Sequence, residues 1–318
     1  MHSVFTMNKT KELQNYIESF DTIAVFRHVN PDGDALGSQL GLVKWIRHNY
    51  PEKTVYALGS DDHNYEIYDA MDQVDELENF LAIVVDTANR PRVDDDRYQY
   101  GDKIIKIDHH LIVDEYGDLQ IVDIDRGSAC EIVTDLLREM DKSFTPEISK
   151  MLLSGILTDT LRFSIEKTSG KTLDSAAYLV SQGANISMIQ QELFTQPRFI
   201  FELKAKLMSH VKVKNNLAYL FLDAEELNSL GVSWKDVKAQ VNMMSNVDEF
   251  HIWVVITENT DENFEVSIRS RRNTINDIAE SYGGGGHRLA SGVSGLTRDQ
   301  ALSVIEDLAK RSLEDYTA

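Results

Sequence analysis

Cysteine is nearly absent: Cys130 is the only one, so no internal disulfide can form and the fold must rest on packing. Apolar runs are too short to cross a bilayer, which argues against a membrane role. No stretch is of low complexity, and only five prolines interrupt the chain. The segment Met1 to Thr10 lacks the basic start and apolar middle of a signal peptide, so the expected setting is the cytoplasm. Positive charge is also scarce. With 32 Lys+Arg against 52 Asp+Glu, the net charge of −20 repels polyanions and argues against extended contact with DNA or long RNA. Any nucleic acid handled here should be short. The acidic surplus also favours solubility, and bound cations could neutralise part of it.

What is present is a folded-protein composition, 42% hydrophobic, in a chain of 318 residues, a length that suggests two domains. In the first half, short apolar runs alternate with amphipathic ones, the pattern of a parallel sheet with crossover helices. Strands are expected at Thr22 to Arg27, Thr54 to Leu58, Leu81 to Val85 and Lys103 to Ile107. Helical spacing marks Leu36 to His48, Cys130 to Glu139, Ile148 to Leu157, Thr172 to Val180 and Ile186 to Phe194, with the first three expected to cover the sheet's faces. The fold class is therefore α/β: a Rossmann-like domain over 1–190, a helical linker over 191–207, and a smaller mixed α/β domain over 208–318. In the latter, a hairpin is expected around Asn215 and Asn216, strands at Phe250 to Thr257 and Phe264 to Ser270, and helices at Lys235 to Met243 and Arg298 to Leu313.

Chemistry-bearing residues cluster where strands end, which is where parallel α/β sheets bind ligands. His28-Val29-Asn30-Pro31-Asp32-Gly33-Asp34 follows the first strand, Asp86-Thr87 the third, and Asp108-His109-His110 the fourth; Asp159 would join them from a helix end. Singly, an Asp after a strand reads as a helix cap, and a His as structural. Together they form an oxygen-rich set with some imidazole, suited to manganese or magnesium and self-repelling without cations. Cys130, on an apolar helical face with Val133 and Leu137, reads as core.

These motifs, with the late Gly283-Gly284-Gly285-Gly286-His287-Arg288, resemble the DHH phosphoesterase family over nearly the whole chain. The resemblance is closest to its bifunctional oligoribonuclease and 3′-phosphoadenosine-5′-phosphate phosphatase branch, whose catalytic domain is followed by a DHH-associated domain. It implies that His28 and Asp32 hold one divalent ion, that Asp34, His109 and Asp159 hold the other, and that Asp86 bridges them. The ions would be manganese, with magnesium admitted. It also gives His110 to the substrate phosphate; Asp108 is expected to orient His109 from behind. Gly284, Gly285, Gly286 and His287 are expected to form a loop that grips the substrate. Arg269, Arg271, Arg272 and Arg288 would contact a second phosphate or a base, with Arg269 and Arg271 on one side of their strand. Leu161 stands where many relatives have glycine, and could narrow the pocket. The implied substrates are short oligoribonucleotides and 3′-phosphoadenosine-5′-phosphate. Alternatives are a phosphodiesterase for linear adenine dinucleotides or cyclic di-AMP, a manganese pyrophosphatase and a non-catalytic nucleotide-binding regulator. A homodimer is left open.

Overall fold

A computed structural model describes residues 2–61, 63 and 65–314. The chain forms two compact units, 1–195 and 196–318. In chain order the first contains α1 (His2–Ser19), β1 (Thr22–Phe26), α2 (Gly33–Asn49), β2 (Thr54–Ala57), β3 (Phe80–Val85), β4 (Lys103–Asp108) and β5 (Leu119–Val122). Helices α3 (Ala129–Glu139), α4 (Pro146–Asp159), α5 (Gly170–Ser181) and α6 (Ile186–Phe194) follow. All five strands are parallel, in the order β2-β1-β3-β4-β5.

Strand alternation sorts the apolar side chains into two layers. Ile23, Val25, Leu81, Ile83, Val85, Ile105 and Ile107 pack with α1 to α4. Ala24, Phe26, Ala82 and Val84 face the other way, towards Tyr98 and Tyr116. The helices thus gather on one face rather than both, and only α2 among them connects two strands. The second face is closed by aromatic side chains from the segments that join β3 to β4 and β4 to β5, Tyr98 and Tyr116.

Helices α2 and α4 meet along a glycine stripe, Gly33, Gly37 and Gly41, spaced one per turn. A Cβ at Gly37 would lie 2.6 Å from Met151 O, and one at Gly41 2.7 Å from the Leu152 side chain. Asp32 caps α2, its Oδ1 accepting from Asp34 N at 3.0 Å and Ala35 N at 3.1 Å. Cys130 is fully buried, as its apolar neighbours imply.

The second unit contains α7 (Arg198–Met208), β6 (Lys212–Lys214), β7 (Leu217–Leu222), α8 (Ala224–Leu230), α9 (Trp234–Lys238), β8 (Ile252–Glu258) and β9 (Phe264–Ser270). It ends with α10 (Asn276–Ser281), β10 (Gly285–His287), β11 (Ala290–Leu296) and α11 (Arg298–Arg311). Its six strands run β10-β11-β9-β8-β7-β6, mixed in direction because β7 and β8 are parallel. Helices α10 and α11 cover one face, through Ile278, Val304 and Leu308 among others. Helices α7, α8 and α9 cover the other, so Leu203 and Leu207 of α7 belong to this unit's core and not to a separate linker. The helix expected over Lys235 to Met243 is split into α9 and a single turn at Val241–Met244. Asn215 turns the β6–β7 hairpin in the left-handed conformation, which asparagine tolerates. No helix among the described residues is long and apolar enough to cross a membrane.

Candidate metal centre

The first unit brings His28, Asp32, Asp34, Asp86, His109 and Asp159 together at the carboxyl ends of β1, β3 and β4 and the end of α4. Two separate donor sets result, His28, Asp32 and Asp86, and Asp34, His109 and Asp159, with a third group, Asp86, His109 and His110, sharing members with both. Asp86 faces both. Its Oδ2 lies 3.5 Å from His28 Nε2 and its Oδ1 3.3 Å from His109 Nε2. His109 Nε2 is also 3.4 Å from Asp159 Oδ2 and 3.7 Å from Asp34 Oδ2, while His28 Nε2 is 3.7 Å from Asp32 Oδ2. Asp32 therefore serves both readings given to it, capping with one oxygen and facing His28 with the other.

Backbone groups aim the donors. Each imidazole directs Nδ1 at a carbonyl, His28 at Val29 O (2.8 Å) and His109 at Arg126 O (3.3 Å), which leaves Nε2 for the cluster. The first two amides of α3 donate to Asp34, Ala129 N at 2.5 Å and Cys130 N at 2.9 Å, so a helix N-terminus steadies that carboxylate. Asp86 itself sits at a φ of 48° in the left-handed region, a strained conformation for an aspartate and of the kind found at functional sites.

Asp108 departs from expectation. Its Oδ1 accepts from His110 Nδ1 at 2.8 Å and from the backbone amides of His109 and His110, so it orients the ring of His110, not that of His109. The reason is directional: neighbouring side chains diverge, and the His109 ring turns to Arg126 O. Behind Asp108, Oδ2 lies 3.3 Å from Nζ of Lys106, a buried lysine that also donates to Ala88 O. Lys106 is not among the residues the strand-end motifs mark. A lysine inside the apolar run Lys103-Ile104-Ile105-Lys106-Ile107 is the signal that could have revealed it, because a buried strand admits such a charge only with partners.

Electrostatics show what the cluster lacks. Burial raises the Asp34 carboxyl to about 7, with the Asp86 charge adding to the effect. Burial also lifts Asp159 well above the carboxylate range, followed by repulsion from Asp34 and Asp86. Burial opposes charge on His28 and His109, yet the surrounding aspartates overcome it and raise both to about 10. The cluster thus retains protons that divalent cations would displace. Asp86 Oδ1 is buried and receives no well-aligned hydrogen bond, an orphan acceptor that a cation would satisfy. The donor set fits divalent metal: two imidazole Nε2 atoms and four carboxylates, with no thiolate among them.

The proposed substrate contacts lie in the second unit. Register pairs His287 with Ala290 and Ala290 with Arg269, placing the three in one cross-strand row. Arg269 is half-buried, has no acidic partner among the described residues, and has its pKa lowered by burial. Arg271 lies beyond the strand, because β9 ends at Ser270, and its Nη1 is 3.4 Å from Asp248 Oδ1. The Arg271 guanidinium is held by Ser245 O and Val247 O. Arg272 and Arg288 are exposed, and Arg288 donates to Arg272 O. The glycine run is not a free loop, since Gly285 and Gly286 pair with Gly292 and Ser291. A Cβ at Gly284 would overlap Gly292 O, and Gly286 has a φ of 137° with a Cβ there 2.6 Å from Ala290 O, so strand approach demands glycine at both and the backbone conformation demands it at Gly286 as well.

Residues 22–156 match the DHH family N-terminal domain, and residues 214–313 match the DHHA1 domain. The chain is 35% identical over 305 residues to the probable bifunctional oligoribonuclease and PAP phosphatase NrnA of Streptococcus mutans, covering 95% of this chain and 98% of that protein. It is equally 35% identical to the bifunctional oligoribonuclease and PAP phosphatase NrnA of Bacillus subtilis, covering 93% and 96%. The crystal structure of an exopolyphosphatase-related protein from Bacteroides fragilis has the same fold, with a TM-score of 0.80 at 23% identity over 95% of this chain and 96% of that one. By sequence along almost its whole length, this chain belongs to the DHH family of phosphoesterases, with a DHHA1 domain as its second part.

Proposed function

We propose that the protein hydrolyses phosphoester bonds in short oligoribonucleotides and in 3′-phosphoadenosine-5′-phosphate, with manganese as the metal and the cytoplasm as the setting. The observation that carries this reading is Asp86, whose two oxygens face two separate donor sets. The full-length similarity to proteins named for these two activities supports the choice of substrates.

His28, Asp32 and Asp86 would hold one divalent ion, and Asp34, His109, Asp159 and Asp86 the other. When bound, such ions supply Lewis-acid activation of water and neutralise charge on the phosphoryl oxygens. The chain's own part is positional. Val29 O and Arg126 O fix the tautomers of His28 and His109. Asp108 accepts from His110 Nδ1 and so presents the ring's Nε2 to the site, where the doubly protonated imidazolium would donate to a phosphoryl oxygen or to the departing oxygen. Burial pushes Asp108 towards protonation, but the bond to His110 and the charges of His110 and Lys106 hold it below the usual carboxylate range. Arg269, Arg272, His287 and Arg288 are the candidates for holding the rest of the substrate.

The test is turnover of 3′-phosphoadenosine-5′-phosphate, short RNA, long RNA, pyrophosphate and cyclic dinucleotides, each with manganese, magnesium or zinc. Manganese-dependent cleavage of the first two, with long RNA disfavoured by the acidic protein, is expected. Hydrolysis of pyrophosphate alone, or no turnover with any metal, would refute the reading.

A further inference from the structure

Beside the metal centre the first unit has a second feature that the hydrolytic site does not use. Asp159 ends α4, and the next turn carries three consecutive non-glycine residues in the left-handed region: Leu161 (φ 46°), Arg162 (φ 61°) and Phe163 (φ 67°). The turn is fastened by Arg162 N to Leu157 O (2.8 Å), Phe163 N to Thr160 Oγ1 (3.0 Å) and Ser164 N to Thr160 O (2.8 Å). Phe163 packs against the core while Arg162 is exposed. Such strain persists where the surroundings over-determine it, and here it aims one arginine.

That arginine is unspent. In the first unit Arg27, Arg47, Arg90, Arg97, Arg126 and Arg138 each pair with a carboxylate, while Arg92 is turned to His28 Nδ1 at 3.4 Å. Arg162 has no hydrogen bond or ion pair through its guanidinium among the described residues, although the protein carries a net charge of −20. It lies over the Phe194 ring, Cζ 4.9 Å from the centroid. Stacking uses the face of the guanidinium and leaves its N–H edge free for a phosphate. Arg162 and Phe194 line an open pocket of about 590 Å³ together with Ser187, Gln190 and Gln191, whose amides and hydroxyl can donate and accept in the plane of a base. Arg162 is three positions after Asp159, so their Cα atoms are at most about 11 Å apart.

We propose that this pocket is a subsite for the nucleotide adjoining the scissile phosphate, with Arg162 holding a phosphate, Phe194 supporting the base, and Gln190 and Gln191 contacting its edge. The proposal rests on the reading of the substrate as a short oligonucleotide and adds the residues that would seat one of its nucleotides.

The test is calorimetric binding of 5′-phosphorylated diadenylate to the full chain, stripped of metal by a chelator so that the ligand is not consumed. Arg162→Ala should weaken binding about tenfold or more, Phe194→Ala should weaken it measurably, and Arg162→Lys should fall between Arg162→Ala and the unmodified protein. Thermal unfolding of each variant checks its fold, and Gln191→Ala provides a further probe at an exposed position. Inorganic tripolyphosphate should bind more weakly than diadenylate, and its binding should not depend on Phe194. Unchanged diadenylate affinity in Arg162→Ala and Phe194→Ala overturns the proposal, as does undetectable binding by the unmodified protein. Tripolyphosphate binding as tightly as diadenylate would also overturn it, reducing the pocket to an anion patch. Turnover of diadenylate by the unmodified protein with manganese is scored separately, so loss of the hydrolytic reading and loss of the subsite give different results.

Discussion

Asp86 is the residue on which the proposed chemistry converges, because it alone faces both donor sets. Asp86→Ala should lower kcat with manganese by at least about a thousandfold, since it removes a ligand from both ions at once. Turnover and metal content measured together provide the check, and a folded variant with near-normal activity would remove the two-metal assignment. Lys106 makes the complementary case. It and Asp108 are both buried, at 1% and 0% exposure, so Lys106→Met would leave the Asp108 charge without its cation. Truncating one partner of a buried pair costs about 3–5 kcal/mol, which urea unfolding would show as a lower midpoint at constant slope. An unchanged midpoint would mean that the pair contributes nothing net to stability.

At the scale of elements, the site depends on how closely α2 and α4 approach. Gly33, Gly37 and Gly41 let α4 lie against α2, and Gly155 on α4 lets the helix pass Cys130 and Asp34. A Cβ at Gly155 would overlap Cys130 Sγ and lie 3.0 Å from Asp34 Oδ1. Gly155→Ala should therefore destabilise the fold by about 1–3 kcal/mol through overpacking and also lower activity, because α4 carries Asp159 to its place opposite His109. Thermal unfolding and kcat would be measured on the same preparation. Loss of stability without loss of activity would show that the helix shifts without moving Asp159. The glycine spacing was visible in Gly33-Asp34-Ala35-Leu36-Gly37-Ser38-Gln39-Leu40-Gly41, but nothing local says which helix it meets. Only the 3.6-residue period, which aligns positions four apart, makes the stripe a contact surface.

For the whole molecule, proton binding and folding are linked through the metal centre. Asp34 is raised from 3.8 to about 7, and His28 and His109 from 6.5 to about 10. Each group binds more protons folded than unfolded between those values, so the stability it contributes is complete at low pH and lost as pH rises. The loss runs from 3.8 to about 7 for Asp34 and from 6.5 to about 10 for the histidines. The metal-free protein should thus unfold at falling temperature as pH is raised from about 6 to about 9, and saturating manganese should flatten that decline by replacing protons with cations. Thermal scans with chelator and with manganese would show it; a metal-free midpoint that rises over this range would contradict the sign.

The sequence by itself determined four of the five parallel strands of the first sheet, β5 being the exception, together with most of the helices, the α/β class and the ligand candidates, because apolar alternation, helical spacing and strand-end acids are local signals. It also determined Cys130 as core, through its apolar helical neighbours. Tertiary structure decided what needs partners from distant segments. It turned Asp108 to His110 and gave the His109 ring to Arg126 O, it paired Gly285 and Gly286 into an edge strand, and it spent Arg271 on the carbonyls of Ser245 and Val247. It placed the helices on one face of the first sheet and left Arg162 beside Phe194 without an acidic partner among the described residues. The physical reason is common to all of these: the direction of a hydrogen bond and the occupant of a layer are set by whichever group arrives from elsewhere in the chain, and sequence spacing along one element carries no record of that arrival.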